Sequence, residues 1–245
     1  MHIQFVGSGD AFGSGGRFNT CFHIVHRELN FLVDCGASSL IAMKRLGIDR
    51  NAIDLIVLTH YHADHCGGVP FFILEAQFVA RRTQPLTIAG PPPVSEWFSR
   101  QMEMAFMGSS RSAKKFEVSL VELTPDHPWR FRNAEIRSAR VRHGAPLEFC
   151  QGYRITIDGK VRAFSGDTEW TDSLIELARD ADLFVSEAYV YDKPVQMHLA
   201  YRQLVEKLPL IRPKRLIINH MSDDMLSRGD AIKHETAQDG LIVKI

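Results

Sequence analysis

The chain opens on His2-Ile3-Gln4-Phe5-Val6, in which apolar and polar residues alternate. That period of two is what a half-buried strand requires, so a strand is expected at the N-terminus. It runs into a glycine-rich loop, Gly7-Ser8-Gly9-Asp10 and then Gly13-Ser14-Gly15-Gly16. Strands are expected over 20–26 and 29–34, joined at Arg27-Glu28, followed by a helix over 38–46 that Gly47 ends. Leu55-Ile56-Val57-Leu58 is apolar throughout, as a strand covered on both faces would be. A helix over 69–80, a strand over 86–89 and a helix from Pro91-Pro92-Pro93 to about Met107 complete the first half.

The second half repeats the plan. Strands are expected over 118–123, 134–141, 152–157 and 161–164, the last two joined by Asp158-Gly159, a strong hairpin signal. Helices over 173–179 and 199–207 then alternate with strands over 183–185 and 216–218, and 241–245 closes as a strand. Meanders followed by alternating strand and helix predict an α/β (α+β) architecture of two sheets with helices outside. No linker, repeat or low-complexity segment interrupts residues 1–245, so one domain is expected.

Composition narrows the function without naming it. Hydrophobic residues make up 45% and charged residues 24%, which excludes a disordered or fibrous chain. Lysine plus arginine and aspartate plus glutamate both number 29, so there is no bulk attraction for nucleic acid. Local groups such as Arg81 and Arg82 are the candidates for holding a short oligonucleotide. The longest notable apolar run, 69–74, is far short of a membrane span, and no membrane partner is expected. Cys21, Cys35, Cys66 and Cys150 are scattered and form no C-x-x-C pair, which points to a reducing, cytoplasmic compartment. Met102, Met104, Phe106 and Met107 read as packing or as a homodimer surface rather than a cofactor box.

Histidine carries the chemistry. Thr59-His60-Tyr61-His62-Ala63-Asp64-His65 follows directly on the apolar strand and places four candidate ligands within six residues. Imidazole and carboxylate are the donors that zinc takes, with manganese and iron as alternatives. His143, Asp167 and His220 each stand just past a later strand, where α/β sheets collect their sites. Together they make two ion sites: His60, His62 and His143 for one, Asp64, His65 and His220 for the other, with Asp167 bridging. Asp64 is thus both ligand and catalytic group. Two divalent ions about 3.5–4 Å apart can hold a bridging hydroxide and clamp the oxygens of a phosphodiester.

These residues resemble the metallo-β-lactamase superfamily, and within it the ribonuclease Z group, along nearly the whole chain. Besides T-H-x-H-x-D-H, the matching pieces are Val6-Gly7-Ser8-Gly9, Asp34-Cys35-Gly36, Gly68-Val69-Pro70, 85–91, His143-Gly144-Ala145-Pro146, Gly152-Tyr153-Arg154-Ile155 and Ser165-Gly166-Asp167-Thr168. The resemblance implies a four-layer αββα sandwich with the site at one edge of the two sheets. It implies further that His198 donates a proton to the leaving oxygen, helped by Glu187 in Ser186-Glu187-Ala188. Asp34 is expected to hydrogen-bond the ligand loop near Thr59 or His60.

The chain departs from the ribonuclease Z pattern in two places. The long arm that grips tRNA is replaced by the hairpin at Asp158-Gly159, and His198 is followed by Leu199-Ala200 rather than Ser-Thr. The missing arm resembles the small cyclic phosphodiesterase of phosphonate metabolism, although that enzyme's structural-zinc cysteines have no counterpart near Cys21. The expected activity is hydrolysis of a small phosphodiester or a short RNA 3′ end. The alternatives are a thioester or lactone hydrolase of the glyoxalase II type and a non-hydrolytic iron-dependent dioxygenase.

Overall fold

The computed structural model describes residues 1–27, 29–144 and 149–245. Glu28 of the expected Arg27-Glu28 turn and Ala145-Pro146 of the family-like segment lie outside the described residues.

Seven strands form the first sheet: β1 (His2–Gly7), β2 (Cys21–His26), β3 (Leu29–Val33), β4 (Leu55–Val57), β5 (Leu86–Gly90), β6 (Val118–Glu122) and the C-terminal β14 (Ile242–Lys244). The second sheet holds β7 (Trp129–Phe131), β8 (Ala134–Arg140), β9 (Gln151–Ile157), β10 (Lys160–Phe164), β11 (Leu183–Glu187), β12 (Leu216–Asn219) and β13 (Glu235–Thr236). Their orders are β14-β1-β2-β3-β4-β5-β6 and β13-β12-β11-β10-β9-β8-β7. Both sheets begin as antiparallel meanders and turn parallel, from β3 in the first and from β10 in the second. The helices are α1 (Ser39–Arg45), α2 (Ala63–Cys66), α3 (Val69–Phe78), α4 (Val94–Ala105), α5 (Ser173–Ala178), α6 (Tyr201–Ile211) and α7 (Asp223–Leu226).

Side-chain alternation sorts each strand between two cores. Ile3, Phe5, Leu55 and Val57 of the first sheet meet Ile155, Phe164, Leu183 and Val185 of the second in one buried layer. Ile56 and Leu32, on the opposite face, pack with Phe72, Ile73, Phe98 and Met102 of the helices outside the first sheet. Phe184 and Ile218 do the same against Leu204 and Ile211 outside the second. Helices therefore cover both outer faces of two packed sheets, the αββα sandwich. Among the described residues no helix is long and apolar enough to cross a membrane, and the four cysteines are free and buried.

The expected oligonucleotide contact at Arg82 needs correction. Arg82 is only 2% exposed, and its guanidinium donates to the carbonyl oxygens of Gln84, Arg50, Asn51, Ile53 and Pro85. It is a staple under the β5 approach and unavailable to an oligonucleotide. The methionine-rich run also splits, with Met102 buried while Met104 and Met107 stand 84% and 93% exposed. The helix that carries it stops at Ala105 because Phe106 turns extended, at φ −144°. α6 runs past the expected 207 to Ile211, carrying Pro209 inside it. The short elements α2, α7, β7 and β13, of two to four residues, are too brief for any period to reveal.

Candidate metal centre

Strands that run parallel end on the same edge, and loops leaving those ends are free to carry polar side chains. β3 delivers Asp34, and β4 delivers His60, His62, Asp64 and His65. The loop after β8 delivers His143, β10 delivers Asp167, β11 ends on Glu187, and β12 delivers His220. The side chains meet at the edge where the two sheets come together. His60, His62 and His143 form one group, and Asp64, His65, Asp167 and His220 another, with the ligand atoms in each within 4.8 Å of one another. A third group joins His143 and Asp167 to His198.

One oxygen links the groups. Asp167 Oδ2 lies 3.2 Å from His65 Nε2, 3.1 Å from His220 Nε2 and 3.8 Å from His143 Nε2. Asp64 Oδ2 faces His65 Nε2 at 3.3 Å and His220 Nε2 at 3.9 Å. His62 is exposed and brings Nδ1 to 2.9 Å from His143 Nε2.

Outer partners hold the rings with Nε2 inward. His65 Nδ1 donates to Asp34 Oδ2 at 2.8 Å, His143 Nδ1 to the Met197 carbonyl at 2.7 Å, and His220 Nδ1 to Thr20 Oγ1 at 3.1 Å. His60 Nδ1 donates to Thr59 Oγ1 at 3.0 Å, and that hydroxyl in turn donates to Asp34. For His60, His143 and His220 each bond spends the one ring N–H of a neutral imidazole and leaves the Nε2 lone pair aimed at the cluster, and a cation bound beside His65 would leave its Nε2 the same. His60 Nε2 and His65 Nε2 are buried and have no hydrogen-bond partner. Lone pairs and carboxylates so converging fit divalent metal.

Backbone strain accompanies the convergence. Asp34 and His220 sit in the left-handed region, at φ 60° and 55°, as does Met197 at φ 71°. Such conformations persist only where surrounding contacts over-determine them, and they concentrate at functional sites. Gly36 supports the ligand loop from beneath, since a Cβ there would lie 2.1 Å from the Asp64 carbonyl oxygen.

Charge acts in both directions. Burial pushes His60 well below the ordinary histidine value, lowers His143, and brings His220 down to about 4, so all three stand neutral and ready to ligate. Burial also opposes charge on His65, but Asp167, Asp34 and Asp64 outweigh it and raise that ring well above the ordinary value. His198 is likewise opposed by burial, yet its bond to Glu187, 3.1 Å from Nδ1 to Oε2, lifts it to about 9 with help from Asp167 and Asp64. Burial raises Glu187 to about 7, against the pull of His198, and its Oε1 accepts the Thr168 backbone N–H. Cations at the cluster would cancel the contributions of Asp167 and Asp64. Glu187 would then be the remaining carboxylate that favours a proton on His198.

The seven expected ligands and the His198–Glu187 pair are thus brought together. Asp34 bonds Thr59 as expected, and on its other oxygen it holds His65 rather than His60. Sequence reading missed Thr20, the Met197 carbonyl and Tyr189, which stacks on His198 with ring centroids 4.4 Å apart. An aromatic beside Ser186-Glu187 could have been flagged; a backbone carbonyl leaves no mark in a sequence.

Fold and ligand set define a metallo-β-lactamase-fold protein with a histidine and aspartate cluster suited to divalent metal. The short form of human tRNase Z superposes with a TM-score of 0.80 at 22% identity, covering 100% of this chain and 99% of that one. The metallo-β-lactamase fold protein YhfI from Bacillus subtilis does so with a TM-score of 0.80 at 20% identity, covering 99% and 98%. Among sequence relatives, ribonuclease Z of Agathobacter rectalis is 30% identical over 158 residues, 64% of this chain and 49% of its own. The chain thus spans about half the length of that relative. Ribonuclease Z of Lachnoclostridium phytofermentans is 25% identical over 292 positions, 97% of this chain and 92% of its own. Residues 1–242 match the family described as Anti-Pycsar protein Apyc1, and the chain belongs to that family.

Proposed function

We propose that this protein is a binuclear metal-dependent phosphodiesterase acting on a small phosphodiester, such as a cyclic nucleotide or a short nucleic-acid 3′ end. The observation that carries the reading is Asp167 Oδ2, which faces His143 of one ligand group and His65 and His220 of the other. One carboxylate so placed is suited to two cations, and zinc matches the donors. Two bound divalent ions would supply Lewis acidity for the phosphate oxygens and a nucleophilic hydroxide at neutral pH.

The chain's own residues do the rest. Asp34, Thr59, Thr20 and Met197 orient the imidazoles. Glu187 keeps a proton on His198, which stands beside His143 and Asp167 and can deliver it to the leaving oxygen. Tyr189 limits the tilt of that ring by stacking on it.

Two clefts of single-nucleotide scale flank the cluster. One, about 350 Å³, is lined by Tyr61, His62 and Phe149; the other, about 400 Å³, by Arg142, Trp170 and His198. The link between β9 and β10 is a turn at Asp158-Gly159, with no room for a tRNA-gripping arm. The alignment with the L. phytofermentans relative runs over more positions than this chain has residues, so that relative carries segments this chain lacks. Four buried free cysteines favour the cytoplasm. Exposed Phe78, Met104 and Met107 are our candidate contact for a homodimer, and solution mass would decide it.

The test is metal content per chain together with kcat/KM on bis(p-nitrophenyl) phosphate, cyclic nucleotides, a precursor tRNA, a thioester and a lactone. Two ions and diester turnover well above tRNA cleavage are expected. Efficient, site-specific tRNA cleavage would remove the small-substrate reading. Thioester or lactone turnover without diester cleavage would replace the phosphodiesterase.

A further inference from the structure

We infer that Glu169 is a positioning residue that clamps a strap, residues 190–200, and through it sets both a metal ligand and the acid, a role that rests on the phosphodiesterase reading. The strap leaves the second sheet after Glu187 and returns before α6. Its base is closed by a bridge between Val190 and Ala200, with Tyr189 N–H donating to Leu199 O at 3.0 Å and Tyr201 N–H to Val190 O at 2.8 Å. Beyond that base the strap is largely exposed from 192 to 197.

Two adjacent residues where this exposed segment ends carry the function. The Met197 carbonyl accepts the Nδ1–H of His143 at 2.7 Å, and the next side chain is His198. Met197 takes φ 71°, a conformation unfavourable for a side chain of its size, so something must hold it there. Glu169 supplies the hold: its Oε1 accepts the Met197 backbone N–H at 2.8 Å.

Glu169 is itself anchored. Its N–H donates to Arg142 O at 2.8 Å, and Arg142 N–H donates to Thr168 Oγ1 at 3.0 Å. Those bonds tie the loop that carries Asp167 to the loop that carries His143. Glu169 therefore sits where three loops meet, its backbone tying those of Asp167 and His143 and its carboxylate reaching that of His198. If the carboxylate let go, the backbone at Met197 could leave its left-handed conformation and swing the carbonyl that follows. His143 would lose the acceptor that fixes its tautomer, and His198 would lose its position relative to Asp167.

The experiment compares wild type with Glu169→Gln, Glu169→Asp and Glu169→Ala. Each is titrated with Zn²⁺ against a chelator, then assayed at saturating zinc on bis(p-nitrophenyl) phosphate and on a diester with an alkyl alcohol leaving group. Gln keeps an acceptor oxygen at the same reach and should match wild type. Asp keeps the charge but falls short, and should behave like Ala. In both, one of the two ions should bind roughly ten-fold more weakly, the size usual for loss of a partner behind a ligand. Turnover of the alkyl diester should fall roughly ten-fold further than that of the nitrophenyl diester, with KM unchanged, because a misplaced acid matters most for a poor leaving group.

Wild-type zinc binding in the Asp and Ala variants would overturn the clamp. So would an effect confined to KM, which would make Glu169 a substrate contact in the cleft beside His198. Loss in Gln equal to that in Ala would show that charge, not the bond to Met197, is what counts. If wild type cleaves no diester, the phosphodiesterase reading fails by itself, and the zinc titrations still decide the clamp.

Discussion

Asp34→Asn is the perturbation that isolates the support behind the metal ligands. Asp34 is 1% exposed and accepts from Thr59 N at 2.8 Å, from Thr59 Oγ1 and, on Oδ2, from His65 Nδ1 at 2.8 Å. Asparagine has the same shape and tolerates the left-handed backbone that Asp34 adopts at φ 60°, so the loop can keep its course. With the amide oxygen retained toward Thr59, the NH₂ group meets the Nδ1–H of His65, donor against donor. His65 escapes by moving its proton to Nε2, which then aims an N–H at Asp167 and Asp64 instead of a lone pair. Loss of such a partner weakens metal binding about 10- to 100-fold, or about 1.4–2.7 kcal/mol. The deficit should fall on one ion, the one held by Asp64, His65, Asp167 and His220. Chelator competition measures it, and excess zinc should restore much of the turnover. Wild-type affinity for both ions would refute the reasoning, as would equal weakening of the two.

His198→Ala should keep both ions and slow turnover by about 10²–10⁴-fold on poor leaving groups and less on nitrophenolate; equal losses on both would mean that the ring positions substrate. Glu187→Gln removes the charge that holds the His198 proton. His198 works as an acid while protonated, so activity is present below its pKa and lost as pH rises through it, and the bond to Glu187 holds that pKa up. The alkaline limb of the kcat profile should move to lower pH by about one to two units, and an unmoved limb would assign it to another group. Arg82→Met should strip the guanidinium from five carbonyl oxygens, of which that of Arg50 keeps the Ile53 N–H, and cost about 3 kcal/mol, lowering Tm by about 6–12 °C. Calorimetry checks it, and an unchanged Tm would show that water replaces the guanidinium.

Much of the fold could be read locally. Period two in His2–Gly7 and the unbroken apolar strand Leu55–Val57 mark strands whatever surrounds them, because each side chain reports the face it must bury. The Asp158-Gly159 turn is equally local. Bounds shifted where an end depends on a neighbour, as where Phe106 abandons the helix to pack against Phe71.

The candidate site divides along the same line. His60, His62, Asp64 and His65 are dense enough along the chain to declare a metal centre, and His143, Asp167 and His220 follow because each stands just beyond a strand. Ionisable side chains so placed would be costly to bury without a ligand, and that cost is written in the residue types themselves. The orientation of those ligands is not. Thr20 reaches His220 from the other sheet, Met197 turns His143 with a backbone carbonyl, and Arg82 spends its charge on five carbonyl oxygens rather than on a substrate. Every residue owns a carbonyl, and any threonine can accept a bond. Which of them meets an imidazole depends on how loops far apart in the chain converge, and that is settled only when the two sheets pack.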